Sequence, residues 1–403
     1  MIIGIIGAGA SGMAAALAAA ENPNVQVVLI ERQARVGRKL QATGNGRCNL
    51  SNIYAGDGKY HGQKPGFADY AIKKFTPEQT ISWFRSLGLY TVMEVSGKVY
   101  PYSDQANSVV DVLRLALQER NIRLITGFEV EKVKADNDKF TVYNGDESIC
   151  CDKLIIACGG VAGTKLGGSM SGYKLLAKLG HKSCRLRPAL VQLKSGWNGI
   201  VALKGVRANC HVRIYRDKEL FNQSIGELQF TDYGISGPVV FEVSRDVCSD
   251  ASPWSAILDF LPEITESSLV DELKRRKNTN LLAEELFTGI IHNRLGRVLA
   301  KSVGINLNQS ISSLTDENIM DAAKVAKGFE LTLRETMGMD CAQVTAGGVL
   351  TDQFNCETME SKLVPGLYAC GEVLDIDGDC GGFNLQWAWS SGRLAGLSAG
   401  KGL

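Results

Sequence analysis

A glycine fingerprint within the first twelve residues constrains the fold more than any other feature of this chain. The apolar run Ile2–Ile6 has the unbroken hydrophobicity of a strand buried on both faces. It leads into Gly7-Ala-Gly9-Ala10-Ser11-Gly12 and then an alanine-rich helical stretch, Met13–Glu21. A second apolar run, Val25–Ile30, ends on Glu31 and Arg32. Strand, glycine turn, helix and strand in about 30 residues make one βαβ unit of a nucleotide-binding fold. Gly7 allows the tight turn, Gly9 lets backbone approach a pyrophosphate, and Gly12 lets helix and strand pack closely. The unpaired N–H groups at the helix start, from Ala10 and Ser11 onward, then face the phosphates. Glu31 sits where a carboxylate accepts bonds from ribose hydroxyls and repels a 2′-phosphate, which excludes NADP as the nucleotide of this site.

The motif alone does not separate FAD from NAD. A late segment does, because FAD enzymes of the glutathione-reductase-like fold return to the dinucleotide near the end of the chain. Gly366-Leu-Tyr-Ala-Cys-Gly371-Glu372 reads as a strand ending on glycine and an acid that holds the ribityl or pyrophosphate region. Gly381-Gly382-Phe-Asn384-Leu385-Gln386 then opens a helix to about Ala399, whose first N–H groups would face the flavin's pyrimidine oxygens. FAD is therefore the expected cofactor. No second glycine fingerprint is present, so NAD(P)H, if it is the reductant, would bind transiently.

At 403 residues the chain is long enough for two or three domains. Helical spacing over Ala106–Gln118, a strand pair in Phe128–Asn144 and a buried strand at Lys153–Ala157 extend the first domain. Residues 189–260 change character: short alternating strands (Val191–Leu193, His211–Tyr215, Ile257–Phe260) with turn signals predict an antiparallel β-domain. Residues 263–303 turn helical, starting near Thr265 with Glu266 in the first turn. The expected fold class is α/β: a discontinuous FAD-binding Rossmann domain (1–185 and 341–403), an inserted antiparallel β-domain (186–262 and 304–340) and a small helical domain (263–303).

Formal net charge is +1, so nucleic acid or an acidic membrane would need a local patch. No stretch approaches the roughly 20 apolar residues of a membrane span, and a strand within two residues of Met1 leaves no room for a signal peptide. A cytoplasmic protein is expected. The 11 cysteines form no C-x-x-C pair and no zinc-like spacing, which argues against a dithiol flavoprotein of the thioredoxin-reductase type and for reduced, buried thiols.

Between the two ends lies Gly37-Arg38-Lys39-Leu40-Gln-Ala-Thr-Gly44-Asn45-Gly46-Arg47-Cys48-Asn49-Leu-Ser-Asn52. Taken with Gly371–Gly392, this stretch closely resembles the YhiN/BaiN-like family of bacterial flavoproteins, described as NAD(P)/FAD-dependent or aminoacetone-oxidase-like. The resemblance covers essentially the whole chain. It implies FAD, three domains and a cytoplasmic enzyme, but no single substrate: amine oxidation, reduction of a steroid double bond and reduction of a uridine in ribosomal RNA are all proposed in the family. Val130 resembles the position that contacts adenine in related folds, and Ala157-Cys158-Gly159 the strand end that closes over the same cofactor.

The Gly37–Asn52 loop reads as a flavin cradle or as a solvated surface loop. As a cradle, Arg38, Lys39 and Arg47 offer charge to the pyrophosphate or to N1 of reduced flavin, and Asn45, Gly46 and Asn49 reach the ring's polar edge. Cys48, beside Arg47, is the catalytic candidate if its pKa is lowered; the alternative is a packed, inert cysteine. His61, His181, His211 and His292 are expected to be surface or core residues. Asp375, Asp377 and Asp379 either orient substrate or solvate a loop. The leading expectation is an FAD oxidoreductase acting on a small molecule through hydride exchange at flavin N5. An RNA-modifying flavoenzyme is the alternative, with Lys274-Arg-Arg-Lys277, Arg294, Arg297 and Lys301 as phosphate contacts. A flavin-binding module without turnover is a third.

Overall fold

The computed structural model describes residues 1–56, 58–136 and 139–401. It divides into two compact units, Met1–Pro188 with Gln343–Leu403, and Ala189–Ala342. Each has its own hydrophobic core.

The first unit is organised by a five-stranded parallel sheet in the order Leu367–Ala369, Lys153–Ile156, Ile2–Ile6, Gln26–Glu31, Arg123–Thr126. Ile3 and Ile5 of the central strand are fully buried, as a strand covered on both faces requires. Leu367–Ala369, the latest of these five strands in sequence, pairs with Lys153–Ile156, one strand away from the first. A three-stranded antiparallel meander, Lys132–Asp136, Lys139–Asn144 and Glu147–Cys151, leads into that neighbour. The expected strand pair there thus has a third member.

Two helices from opposite ends of the chain pack on one another. The first, Ala10–Ala19, is mostly alanine, and the last, Phe383–Gly400, presents Gly392, Gly396 and Gly400 to it. A Cβ on Gly392 would lie 2.3 Å from the Ser11 carbonyl oxygen, and one on Gly396 2.2 Å from that of Ala15. Only hydrogen at these positions lets the two backbones touch.

In the second unit six strands close an antiparallel barrel: Leu193–Ser195, Gly234–Ser236, Glu219–Phe230, Arg207–Arg216, Trp254–Asp259 and Phe329–Thr336. Alternation along Arg207–Arg216 sends Cys210, Val212 and Ile214 inward. The helix Glu266–Arg276 begins on Thr265, whose hydroxyl accepts the Ser268 N–H at 3.2 Å. Its Leu269 and Leu273, with Leu295 and Leu299 of Asn293–Ser302, join the same core as the barrel. Residues 263–303 therefore share the core of the β-structure. Among the described residues, no helix is long and apolar enough to cross a membrane.

Candidate functional site

The glycine turn follows the packing its sequence implies. Gly7 has φ +103°, and a Cβ there would meet the Ala157 carbonyl oxygen at 2.5 Å. A Cβ on Gly12 would be 1.8 Å from the Gly7 carbonyl oxygen. Gly9 differs: a Cβ there meets nothing within 4 Å. Gly9 is the N-cap of the Ala10–Ala19 helix, whose first N–H groups have no partner within the helix. Ser11 is buried, and its Oγ would lie 2.5 Å from a Cβ on Gly371, which has φ +76°. The first turn of the first helix and the late Gly371-Glu372 corner are thus in contact.

Glu31 is anchored across the turn: one carboxylate oxygen accepts the Ala8 N–H at 2.8 Å and the other the Gln33 N–H at 2.8 Å. Arg32 donates to the Gly167 carbonyl at 2.6 Å, and the exposed Arg38 donates to the Gln33 side chain at 3.0 Å. Val130 and Ala157 are buried. Cys158 points its Sγ toward the Ile6 carbonyl at 3.6 Å, and burial pushes its thiol up to about 12. Gly159 has φ +70° and, like Gly9, open space where a Cβ would stand.

The charges of the Gly37–Asn52 loop are committed elsewhere. Lys39 Nζ pairs with Glu372 Oε2 at 2.8 Å. The other Glu372 oxygen accepts the Thr345 N–H at 2.8 Å. Arg47 pairs with Asp104 and Glu94 and stacks over Tyr100, 4.1 Å from the ring centre. It faces a surface network of its own rather than a free space. Leu40 is buried as packing. Gly44, Asn45, Gly46 and Cys48 all have positive φ (57°, 56°, 86° and 61°), so the loop coils tightly. Asn45 and Gly46 are exposed, and a Cβ on Gly46 would stand in open space.

Cys48 also differs from expectation. It is fully buried, and burial pushes its thiol up to about 12, because a thiolate loses its hydration in an apolar core. With Arg47 turned to Asp104 and Glu94, only a hydrogen bond with the Thr43 side chain offsets part of that cost, and Cys48 sits as packing.

The start of the last helix holds the unsatisfied polarity of the site. Gly382 has φ +101°; a Cβ there would be 2.3 Å from the Ser51 carbonyl oxygen and 2.8 Å from Asn49 Oδ1. That Asn49 Oδ1 is buried without a hydrogen-bond partner among the described residues, a position that calls for a donor from a ligand. Asn52 Nδ2 donates to the Gly381 carbonyl at 2.9 Å and ties the loop to this turn. The side chain of Asn384 accepts from the Gly378 N–H and donates to its carbonyl, 2.8 Å each. Leu385 is partly buried against the core. Gln386 is fully buried: its Nε2 donates to the Phe75 carbonyl and Thr80 Oγ1 at 2.9 Å, its Oε1 accepts from Ser51 at 2.6 Å, and its backbone N–H donates to Gly382. Its side chain braces the start of the helix.

Sequence reasoning missed Thr345, whose buried Oγ1 accepts the N–H groups of Val161 and Ala162 at 2.9 Å and so joins the Cys158–Ala162 turn to Glu372. No local motif marks it. It also missed the pairing of His61 with Asp379 at 2.7 Å. Of the three late aspartates, Asp375 and Asp377 are buried, and Asp375 accepts the Gln63 N–H at 2.9 Å. Neither solvates a loop.

The basic run of the second unit is partly paired in place, four cations sharing two carboxylates. Lys274 and Lys277 pair with Asp316 at 3.1 and 3.0 Å, Arg275 and Arg276 with Glu272, and Arg297 with Glu284 and Glu285. Arg294 donates to the Lys204 carbonyl; Lys301 is exposed.

A parallel sheet with a glycine turn at its first strand, an acid at the end of its second, and a late Gly-Glu return beside a glycine-capped helix defines an FAD-dependent oxidoreductase. The chain belongs to the HI0933-like protein Rossmann domain family, which matches residues 1–398. It is 39% identical over 409 residues to the 3-dehydro-bile acid delta(4,6)-reductase of Clostridium scindens, covering 99% of each chain. It is 32% identical over 401 residues to the ribosomal RNA dihydrouridine synthase of Escherichia coli, covering 96% of this chain and 95% of the relative. In fold it is similar to the 3-ketosteroid delta1-dehydrogenase of Sterolibacterium denitrificans, with a TM-score of 0.50 at 12% identity over 99% of each chain.

Proposed function

We propose that this flavoprotein reduces small organic molecules carrying a C=C bond conjugated to a carbonyl, with NAD(P)H as a diffusible reductant. What supports the small-molecule reading is the relative named a 3-dehydro-bile acid delta(4,6)-reductase, 39% identical over 99% of each chain, against 32% for the ribosomal RNA dihydrouridine synthase. The basic run at 274–277 is partly paired, its four cations sharing the two carboxylates of Asp316 and Glu272, which reduces but does not remove the charge available to release counterions from phosphates. The names of the two relatives both describe saturation of a C=C bond, in a bile acid in one case and a uridine in the other.

The N–H groups after Gly9 would hold the pyrophosphate, Glu31 the adenosine ribose, and Val130 would line the adenine. Asn49 Oδ1 and the first N–H groups of the last helix suit the donor and acceptor edge of the flavin's pyrimidine ring. The positive end of that helix favours negative charge there. When bound, FAD supplies two-electron hydride exchange at N5. Among the described residues the 11 cysteines form no disulfide, which suits a reducing, cytoplasmic compartment.

The test is anaerobic. The yellow holoprotein is bleached with NADH or NADPH, then mixed with a steroid-like 4,6-dien-3-one or with a ribosomal RNA fragment. Return of flavin colour with the dienone and a saturated product is expected. Reoxidation by the RNA alone would transfer the chain to the RNA-modifying class, and loss of colour with neither donor would remove NAD(P)H.

A further inference from the structure

A short ribbon leads into the glycine turn of the last helix. The two-residue strand Tyr60–His61 runs antiparallel to Asp377–Gly378, with His61 opposite Asp377 and Tyr60 opposite Gly378. The Asp379 N–H donates to the Lys59 carbonyl at 3.0 Å, and the Tyr60 hydroxyl donates to the Phe383 carbonyl at 3.2 Å. The Asn384 side chain clamps Gly378 from the helix side. The approach to Gly381–Gly382 is therefore fixed from both edges.

His61 stands on this ribbon with its Nε2 2.7 Å from Asp379 Oδ1, while Lys59 Nζ lies 3.3 Å from the other oxygen. Burial pushes the Asp379 carboxyl up, but the bonds and charges of His61 and Lys59 outweigh it and hold it below the ordinary carboxylate range. The His61 side chain is 35% exposed, and its Nδ1 has no hydrogen-bond partner among the described residues. A carboxylate on one ring nitrogen orients the imidazole and selects the tautomer with its proton on Nε2, leaving Nδ1 to exchange protons. The other candidates are spoken for. Asp375 accepts the Gln63 N–H, Asp377 is buried, Lys59 is held by Asp379, Cys48 is a thiol in the core, and the partly buried Cys158 points its Sγ to the Ile6 carbonyl. His181 is buried between Ser361 and Leu176.

We propose that His61, oriented by Asp379, donates the proton that completes substrate reduction at the Gly381–Gly382 end of the site; this role rests on the conjugated-carbonyl reading above. The reductant is the dihydroflavin of the holoenzyme. One alkene carbon gains a C–H bond from the hydride, the π bond opens, and its electron pair moves to the carbonyl oxygen as an enolate. The neighbouring carbon then takes the Nδ1 proton of the imidazolium as the enolate pair returns. That leaves a neutral ring with its remaining proton on Nε2 facing Asp379, and solvent restores the Nδ1 proton. Asp379 is a positioning residue. Lys59 and Asp379 face the ring directly, with Asp377 opposite in register and Asp375 beside Gly62.

The experiment uses FAD-loaded protein labelled with nitrogen-15 at histidine, the His61 signals being those lost in His61→Gln. The expected neutral tautomer carries its proton on Nε2, and Asp379→Asn shifts the tautomer balance. In stopped flow, His61→Gln should leave bleaching by NAD(P)H and the melting temperature near wild type while slowing reoxidation by the dienone roughly 10²- to 10⁴-fold. The pH dependence of that step should flatten in the same variant. A proton on Nδ1, unchanged reoxidation, or equal slowing of both half-reactions would each overturn the role; the last would make the pair a structural clamp. Wild type that no conjugated carbonyl reoxidises would instead defeat the functional reading, and this role with it.

Discussion

Gly396 lies directly against Ala15: a Cβ on the glycine would fall 2.2 Å from the alanine's carbonyl oxygen. The contact joins residues 381 positions apart in a seam that holds the helix bearing the fingerprint to the helix that closes the chain. Gly396→Ala should therefore force the helices apart and destabilise the protein by about 1–3 kcal/mol, the usual range for overpacking. Chemical denaturation of the variant and wild type in the presence of excess FAD reads this directly, and an unchanged midpoint would mean the seam is not close-packed.

Gly9 and Gly12 belong to one motif yet should respond in opposite ways. A Cβ on Gly9 meets no atom within 4 Å, whereas one on Gly12 would lie 1.8 Å from the Gly7 carbonyl oxygen. Gly9→Glu is expected to fold with a wild-type circular dichroism spectrum but to purify colourless, since its carboxylate occupies and repels the pyrophosphate space. Gly12→Val is expected to misfold. Yellow Gly9→Glu protein would show that the pyrophosphate does not lie at this helix.

Stability should fall in alkali. Cys48, Cys151, Cys158 and Cys370 are each pushed up to about 12 by burial, against an ordinary value of 9.0 in the unfolded chain. Their folded-state values are raised, so the stabilisation is complete below pH 9 and is lost as pH climbs from 9 toward 12. In that window the unfolded chain releases protons that the native protein keeps, with a slope of up to about 1.4 kcal/mol per pH unit for each thiol. Melting temperatures at pH 8, 9 and 10 under reducing conditions should be flat at first and then drop. Cys48→Ala should reduce the slope, though its cavity lowers stability at every pH.

Removing residues 189–342 should leave a protein that folds and binds FAD. The core of the first unit draws no residue from the second. The strand that leaves it, Arg187–Ala189, pairs with the one that returns, Val344–Ala346, so a short linker spans the gap. Cooperative unfolding and a flavin absorbance band in the shortened chain are expected. A folded but colourless product would place part of the FAD site in the excised unit.

Local order explains how much of this was legible in advance. The turn Gly7–Gly12, the strands on either side and Glu31 all lie within about 30 residues, and their spacing is dictated by one βαβ unit that forms from its own neighbours. The late Gly371-Glu372 corner and the glycine-capped last helix were readable for the same reason, as was the antiparallel character of 189–260. Composition along the chain thus determined the class of fold and the cofactor. It did not determine what each charged or polar side chain does, because that depends on partners brought from far along the chain. Arg47 turns to Glu94 and Asp104, Lys39 to Glu372 and Gln386 to Phe75 and Thr80; His61 meets Asp379 across 318 positions. Burial decides the rest: the same thiol that sequence placed beside a guanidinium is sealed in the core, where no thiolate forms at neutral pH. Charge and hydrogen-bond capacity are local properties of a residue, whereas pairing and desolvation are properties of the folded chain, and only the tertiary structure decided those.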